Sequence, residues 1–276
     1  MKTLLFILLS SLTLSGQFRL LHKSTFEEED VIRLNVVAGQ SNAVGGTGTD
    51  WSGFTTPASV SDVRLQLSTI SNGNAQGTSF PSLQLQPRTN QTFAGPEMGF
   101  SIDLTSNFGD RNYAIFKSAL GGTSIFTHWD HNPPAPLDLT RITVADLATY
   151  KTNLAASTGK IVILESVFWW QGESDADNNN AFIWEAKMVE TIDFWRTTLG
   201  EPNLKFYLGR LPDYQSAIYV NHQVLRDAVE NIANNDVNVE FIDLDGLNSD
   251  DGVHIDQPSQ LIAGQRWFTQ YQADFP

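Results

Sequence analysis

The chain has 276 residues, 41% of them hydrophobic, and 31 acidic against 17 basic residues give a formal net charge of −14. That length and apolar content suit one sizeable α/β domain, while a field of that sign repels nucleic acid and anionic membrane surfaces, so phosphate-tracking functions are disfavoured. The absence of cysteine excludes disulfides, thiolate–metal centres and a cysteine nucleophile.

Residues 1–16 open on the positive start Met1-Lys2-Thr3, continue through a run from Leu4 to Leu14 that is apolar apart from hydroxyls, and end in the small residues Ser15 and Gly16. This is the pattern of a secretory signal peptide, too short to cross a bilayer as a helix, so a secreted or periplasmic location and no lasting membrane association are expected. Residues 17–30, closing on Glu27-Glu28-Glu29-Asp30, read as a polar spacer, and 31–276 as a single domain. The run Val31 to Ala38 reads as a buried strand and ends on Gly39-Gln40-Ser41-Asn42, followed by a Gly-rich stretch. Residues 51–92 are rich in Ser, Thr, Asn, Gln and Gly, with one plausible strand over 63–68, and read as a long excursion over the sheet's C-terminal edge.

Further strands are expected at 112–119, 161–169, 205–211 and 239–243. The second of the five strands leads into Gly121-Gly122-Thr123-Ser124 and the third into Trp170-Gln171-Gly172-Glu173-Ser174-Asp175. A helix is expected from about 180 to 199, with Phe182, Ala186, Val189, Ile192 and Trp195 spaced by three or four, ended by Gly200 and Pro202. Two more are expected at about 214–234, with Val220, Val224, Ala228 and Ile232 on one face, and 259–271. The last lies just after Asp251-Gly252-Val253-His254. Strands alternating with helices predict a three-layer α/β/α sandwich around a parallel five-stranded sheet of the flavodoxin-like kind.

In such sheets ligands bind beyond the carboxyl ends of the strands, and every block above sits at such an end. A serine hydroxyl is a weak nucleophile until an imidazole takes its proton, and that imidazole works best when a carboxylate fixes its tautomer. Ser41, His254 and Asp251 supply those three groups. The other histidines (His22, His128, His131 and His222) do not lie three residues after an acid in a Gly-containing turn.

Gly-Gln-Ser-Asn, the Gly-Gly-Thr loop, the Trp-Trp-Gln-Gly-Glu-Ser-Asp block, Asp-Gly-Val-His and, more softly, Ala94-Gly95-Pro96-Glu97-Met98-Gly99 together resemble the SGNH hydrolases. Within that group they are most similar to the branch of the sialate O-acetylesterases and family-six carbohydrate esterases. The resemblance runs from about Val31 to about Trp267. It implies the SGNH fold and removal of O-acetyl groups from a carbohydrate through a Ser41–His254–Asp251 acyl-enzyme mechanism, with no cofactor and no metal. It also implies an oxyanion hole made by the Ser41 N–H, a backbone N–H of Gly121 or Gly122, and the Gln171 side-chain amide. Some members of the branch use the Glu of the Gln-Gly-Glu block to support the histidine, so Glu173 is the alternative acid.

Trp129 and Trp170 lie beside these loops, where flat apolar faces would suit a sugar ring, the alternative being that they pack beneath the loops. Two other functions fit less well: a lipid or aryl esterase of the same fold, and a non-catalytic sugar-binding module.

Overall fold

The computed structural model describes residues 28–45, 51–71, 79–88, 91–109, 111–132 and 137–276. The expected signal peptide and most of the expected spacer lie outside them. The strands are β1 (Val31–Gly39), β2 (Arg64–Leu67), β3 (Ser79–Phe80), β4 (Gln86–Arg88), β5 (Gln91–Phe93), β6 (Asn112–Ala119), β7 (Ile161–Trp170), β8 (Lys205–Gly209) and β9 (Val239–Ile242). The α-helices are α1 (Ser41–Val44), α2 (Pro96–Asn107), α3 (Leu139–Thr158), α4 (Glu173–Ala176), α5 (Ala181–Leu199), α6 (His222–Asn235) and α7 (Gln257–Asp274).

The five expected strands form the parallel sheet, in the order β6-β1-β7-β8-β9. The sheet is larger than expected. Residues 51–92 do not only pass over its edge: β2 adds to β6 in parallel and β3 closes that side antiparallel, giving seven strands. β4 and β5 form a separate antiparallel pair.

Both faces of the sheet are covered, which accounts for the near-continuous apolar character of β1, buried along its whole length. On one face Leu147, Trp184, Met188, Trp195, Val229 and Ile232 of α3, α5 and α6 pack on Leu34, Val36, Val167 and Trp169. On the other, Met98, Phe100, Leu104, Trp267 and Tyr271 of α2 and α7 pack on Val37, Phe168 and Trp170. Side chains along a strand alternate between faces, so the adjacent Trp169 and Trp170 enter opposite cores. α2 and α7 cross closely enough to need glycine. A Cβ on Gly264 would lie 2.1 Å from the Pro96 carbonyl oxygen, and one on Gly99 2.0 Å from that of Leu261.

Two helix expectations are corrected. In α5 the buried residues include Ala181, Trp184, Met188, Ile192 and Trp195, whereas Phe182 and Val189 are 66% and 42% exposed. Tertiary packing selects one of two apolar stripes on this helix. The helix expected over 214–234 is broken: a 3-10 segment, Asp213–Ala217, precedes α6, and Val220 in the break is 81% exposed.

Register brings the strand ends together. Gly39 pairs with Ala119 on one side and Trp170 on the other, so three chains leave the sheet at one level.

Candidate active site

At the end of β1 the chain turns through Gly39, at φ 136°, where a Cβ would stand 2.0 Å from the Trp170 carbonyl oxygen. Glycine alone fits there. The Gln40 N–H then bonds to that oxygen (2.9 Å) and the Leu120 N–H to Gly39 O (3.0 Å), tying the end of β1 to both neighbours. Ser41 opens the short helix α1 and retains 7% exposure.

His254 comes from a tight loop between β9 and α7. Its Nδ1 lies 2.7 Å from Asp251 Oδ2, and Asp251 Oδ1 accepts the backbone N–H groups of His254 (2.7 Å) and Val253 (2.8 Å). Burial works against the charge on Asp251. The bond to the His254 ring and the two backbone N–H groups outweigh it and hold the carboxyl at about 2. The loop is closed by Ser249, whose Oγ donates to His254 O (2.6 Å) and accepts the Gly252 N–H (2.8 Å).

Asn42, next to Ser41, joins the two segments. Its Oδ1 accepts the Ile255 N–H (3.0 Å), and its Nδ2 donates to Val253 O (3.3 Å) and Glu173 Oε1 (2.8 Å). The peptide groups on both sides of His254 are thus bonded to the residue after the serine. Gln215 Nε2 (2.7 Å) and the Tyr214 hydroxyl (3.3 Å) also donate to Val253 O. Asp251, not Glu173, is the acid on the imidazole. Glu173 is 1% exposed and turned to Asn42; burial above all pushes its carboxyl up to about 7, the charge of Asp175 adding to this and the Asn42 bond opposing it.

The Gly121-Gly122 loop leaves β6 level with the end of β1, where Ala119 pairs with Gly39, and Gly122 has φ 72°. A buried network fixes the chain just beyond this loop. Asp175 accepts the Ser124 hydroxyl, the Ile125 N–H (2.9 Å) and Gln171 Nε2 (2.6 Å), and burial pushes its carboxyl above the usual range. Gln171 Nε2 also lies 3.0 Å from Thr123 O and 3.2 Å from Gln40 Oε1. Gln171 Oε1 accepts the Trp184 indole N–H (2.9 Å), which fixes the orientation of the amide, because an indole can only donate. An amide carries two N–H bonds, and here both are taken within the fold. The expectation that Gln171 is a free oxyanion donor is therefore corrected: its side chain ties the Gly-Gly-Thr loop to β1 and α4.

Trp129 and Trp170 are corrected as well. Both are fully buried, Trp129 against Trp169 with its indole N–H on Thr123 Oγ1 (2.9 Å), and Trp170 in the opposite core. Neither offers a ring face to a substrate. The sequence reading missed Asn42 and Asp175 as organising residues, although both lie inside its motifs. Among the described residues no three His, Cys, Asp or Glu side chains converge as they would on a metal ion.

A parallel α/β/α sandwich with a serine turn, a glycine loop and an Asp–His turn at its C-terminal edge defines the SGNH class of hydrolases. A family model described as "carbohydrate esterase, sialic acid-specific acetylesterase" matches residues 31–273, and the chain belongs to this family. It is a carboxylic ester hydrolase of the carbohydrate esterase kind. Solved structures with the same fold include a protein from Arabidopsis thaliana (TM-score 0.67, 20% identity, covering 88% of this chain and 99% of that one) and NanS (TM-score 0.66, 14% identity, 89% and 98%). A carbohydrate acetylesterase from Xanthomonas citri is similar at a TM-score of 0.57 and 16% identity over 85% of this chain and 55% of that one. No curated protein matches the chain.

Proposed function

We propose that the protein is an exported esterase that removes O-acetyl groups from a glycan with Ser41 as nucleophile. His254 Nε2 takes the Ser41 Oγ proton as Oγ bonds to the ester carbonyl carbon. Asp251 keeps the remaining ring proton on Nδ1 and stabilises the imidazolium. The tetrahedral oxyanion is met by the Ser41 N–H and a backbone N–H of the Gly121-Gly122 loop, each such donor typically worth ~3 kcal/mol. As the C–O bond to the sugar breaks, His254 returns the proton to the sugar oxygen. Water, deprotonated by His254, then attacks the acetyl-enzyme and releases acetate with Ser41 restored. Export rests on residues 1–16 acting as a signal peptide, which N-terminal sequencing of protein recovered from the medium or periplasm would test.

The observation that carries the reading is the bonding of Asn42 to both peptide groups beside His254, with Asp251 on the ring at 2.7 Å. The test is acetate release from a panel of O-acetylated glycans, neutral and sialylated, by the parent and by Ser41→Ala. The variant should lose several orders of magnitude in rate while keeping its melting temperature. Turnover within tenfold of the parent would overturn the assignment, and a preference for long acyl chains would point to a lipid esterase instead.

A further inference from the structure

We propose that Glu173 is a positioning residue for His254, acting not on the imidazole but through the side-chain amide of Asn42. The proposal rests on the Ser41–His254 reading above. A carboxyl sealed from water is costly unless a partner uses it. Glu173, in α4 beyond β7, is 1% exposed and gives Oε1 to Asn42 Nδ2 at 2.8 Å, while its Oε2 has no hydrogen-bond partner among the described residues.

Asn42 needs a defined orientation. Its Oδ1 must face the Ile255 N–H and its Nδ2 the Val253 carbonyl oxygen for the loop to be gripped on both sides of His254. An amide turned over by 180° would set N–H against N–H and oxygen against oxygen at those points. Ile255 supplies a donor and Val253 an acceptor, but the latter contact is the longer, at 3.3 Å, and Val253 O is shared with Gln215 Nε2 and the Tyr214 hydroxyl. The Glu173 oxygen adds a second acceptor on the Nδ2 side and so biases the amide to the gripping orientation. Glu173 thereby sets where the His254 backbone stands relative to Ser41, the neighbour of Asn42. A displacement of about 1 Å at such a point can cost about 10²-fold in rate.

The role needs an oxygen acceptor, not a negative charge. Burial already pushes this carboxyl up to about 7, and a protonated carboxyl still offers its carbonyl oxygen to Asn42. Glutamine offers the same oxygen. Glu173→Gln should therefore keep kcat within about threefold of the parent, whereas Glu173→Leu should lower kcat by about 30- to 100-fold with KM within twofold. Both are to be measured well below the melting temperature on protein with parental circular dichroism.

A loss of about 10³-fold in Glu173→Gln would overturn the proposal, because the charge would then be what matters. Parental kcat in Glu173→Leu would also overturn it, leaving Glu173 a packing residue. Should Glu173→Leu not fold, Asn42→Ala decides: the same 30- to 100-fold loss of kcat supports the clamp, and either parental kcat or a second failure to fold overturns it. Ser41→Ala in the same assay separates the two levels. If that variant stays active, the reading of the site has failed; if it is dead while the Asn42 and Glu173 variants are unaffected, only the clamp has.

Discussion

At the residue scale the two acids of the site have been given opposite surroundings. Asp251 stands in a half-exposed loop with three hydrogen-bonded N–H donors, the His254 ring among them, and is held at about 2; Glu173 is sealed and raised to about 7. Asp251 is therefore ionised throughout the working range and can hold the imidazole tautomer. Asp251→Asn should lower kcat by about 10³- to 10⁴-fold, as expected when the ring carries its proton on the wrong nitrogen. Steady-state kinetics of that variant beside Glu173→Gln would test it, and equal losses in the two would refute it.

Glu173 also carries a stability signature. Its usual value of 4.5 applies to the unfolded chain, and the folded value is about 7. Between these the native state holds a proton that the unfolded state has released, so stability falls as pH rises through that window and is flat above it. The loss is about 3 kcal/mol at most. Melting curves from pH 4.5 to 8 should show the parent losing stability relative to Glu173→Gln across that range; parallel curves would show that the carboxyl is not raised.

At the scale of elements the site depends on close approaches that fix how helices and strands meet. α2 and α7 interlock at Gly99 and Gly264, with Phe100 stacked on Trp267 at 3.6 Å between ring centroids. The same α7 begins directly after the His254 loop and sends Gln260 Nε2 to Asn42 O (3.1 Å). Gly264→Ala puts a methyl 2.1 Å from the Pro96 carbonyl oxygen and 2.4 Å from the Phe100 nitrogen, contacts with backbone that cannot rotate away. We expect a loss of about 1–3 kcal/mol, seen as a lower denaturation midpoint, together with reduced kcat as α7 shifts under the His254 loop. Unchanged stability would mean that the two helices cross more loosely than these distances require.

Much at this scale could be read from the chain, because β-branched runs ending in glycine mark parallel strands. Of the edge strands, β2 falls within the strand expected over 63–68 but its pairing with β6 is not legible in the chain, and β3, at two residues, is too short to show a pattern. In α5, Phe182 and Val189 keep helical spacing with Ile192, but so do Trp184, Met188 and Trp195, and only the neighbouring elements decide which stripe goes inside. The motifs likewise revealed which segments of the chain meet but not through which atoms. Asn42 and Val253 are 211 positions apart, and no local rule says that one amide will grip the loop of the other. Gln171 follows β7 where a donor was expected, yet its partners Asp175, Thr123 and Trp184 come from three other places in the chain.

On the scale of the whole molecule the dominant quantity is the net charge of −14. Asp250, Asp251 and Asp256 lie in or beside the loop that carries His254, so the site is set within this field rather than shielded from it. The family includes enzymes described as sialic acid-specific, and a sialic acid carries a carboxylate. An anionic ester would approach against the field, whereas a neutral acetylated sugar would not sense it. The Debye length shortens from about 30 Å at 0.01 M salt to about 10 Å at 0.1 M, which screens the protein's distant charges and leaves contacts within the site nearly untouched. Raising salt across that range should therefore increase kcat/KM for an O-acetylated sialoside by roughly two- to fivefold, chiefly through faster productive encounter, and leave kcat unchanged. The same change should leave kcat/KM for a neutral acetylated xylooligosaccharide within experimental error. Measuring both substrates in parallel controls for general salt effects on folding. If kcat/KM for the sialoside falls with salt, a cluster of basic groups must attract it at the site despite the overall charge, and the molecule would be built for an anionic glycan.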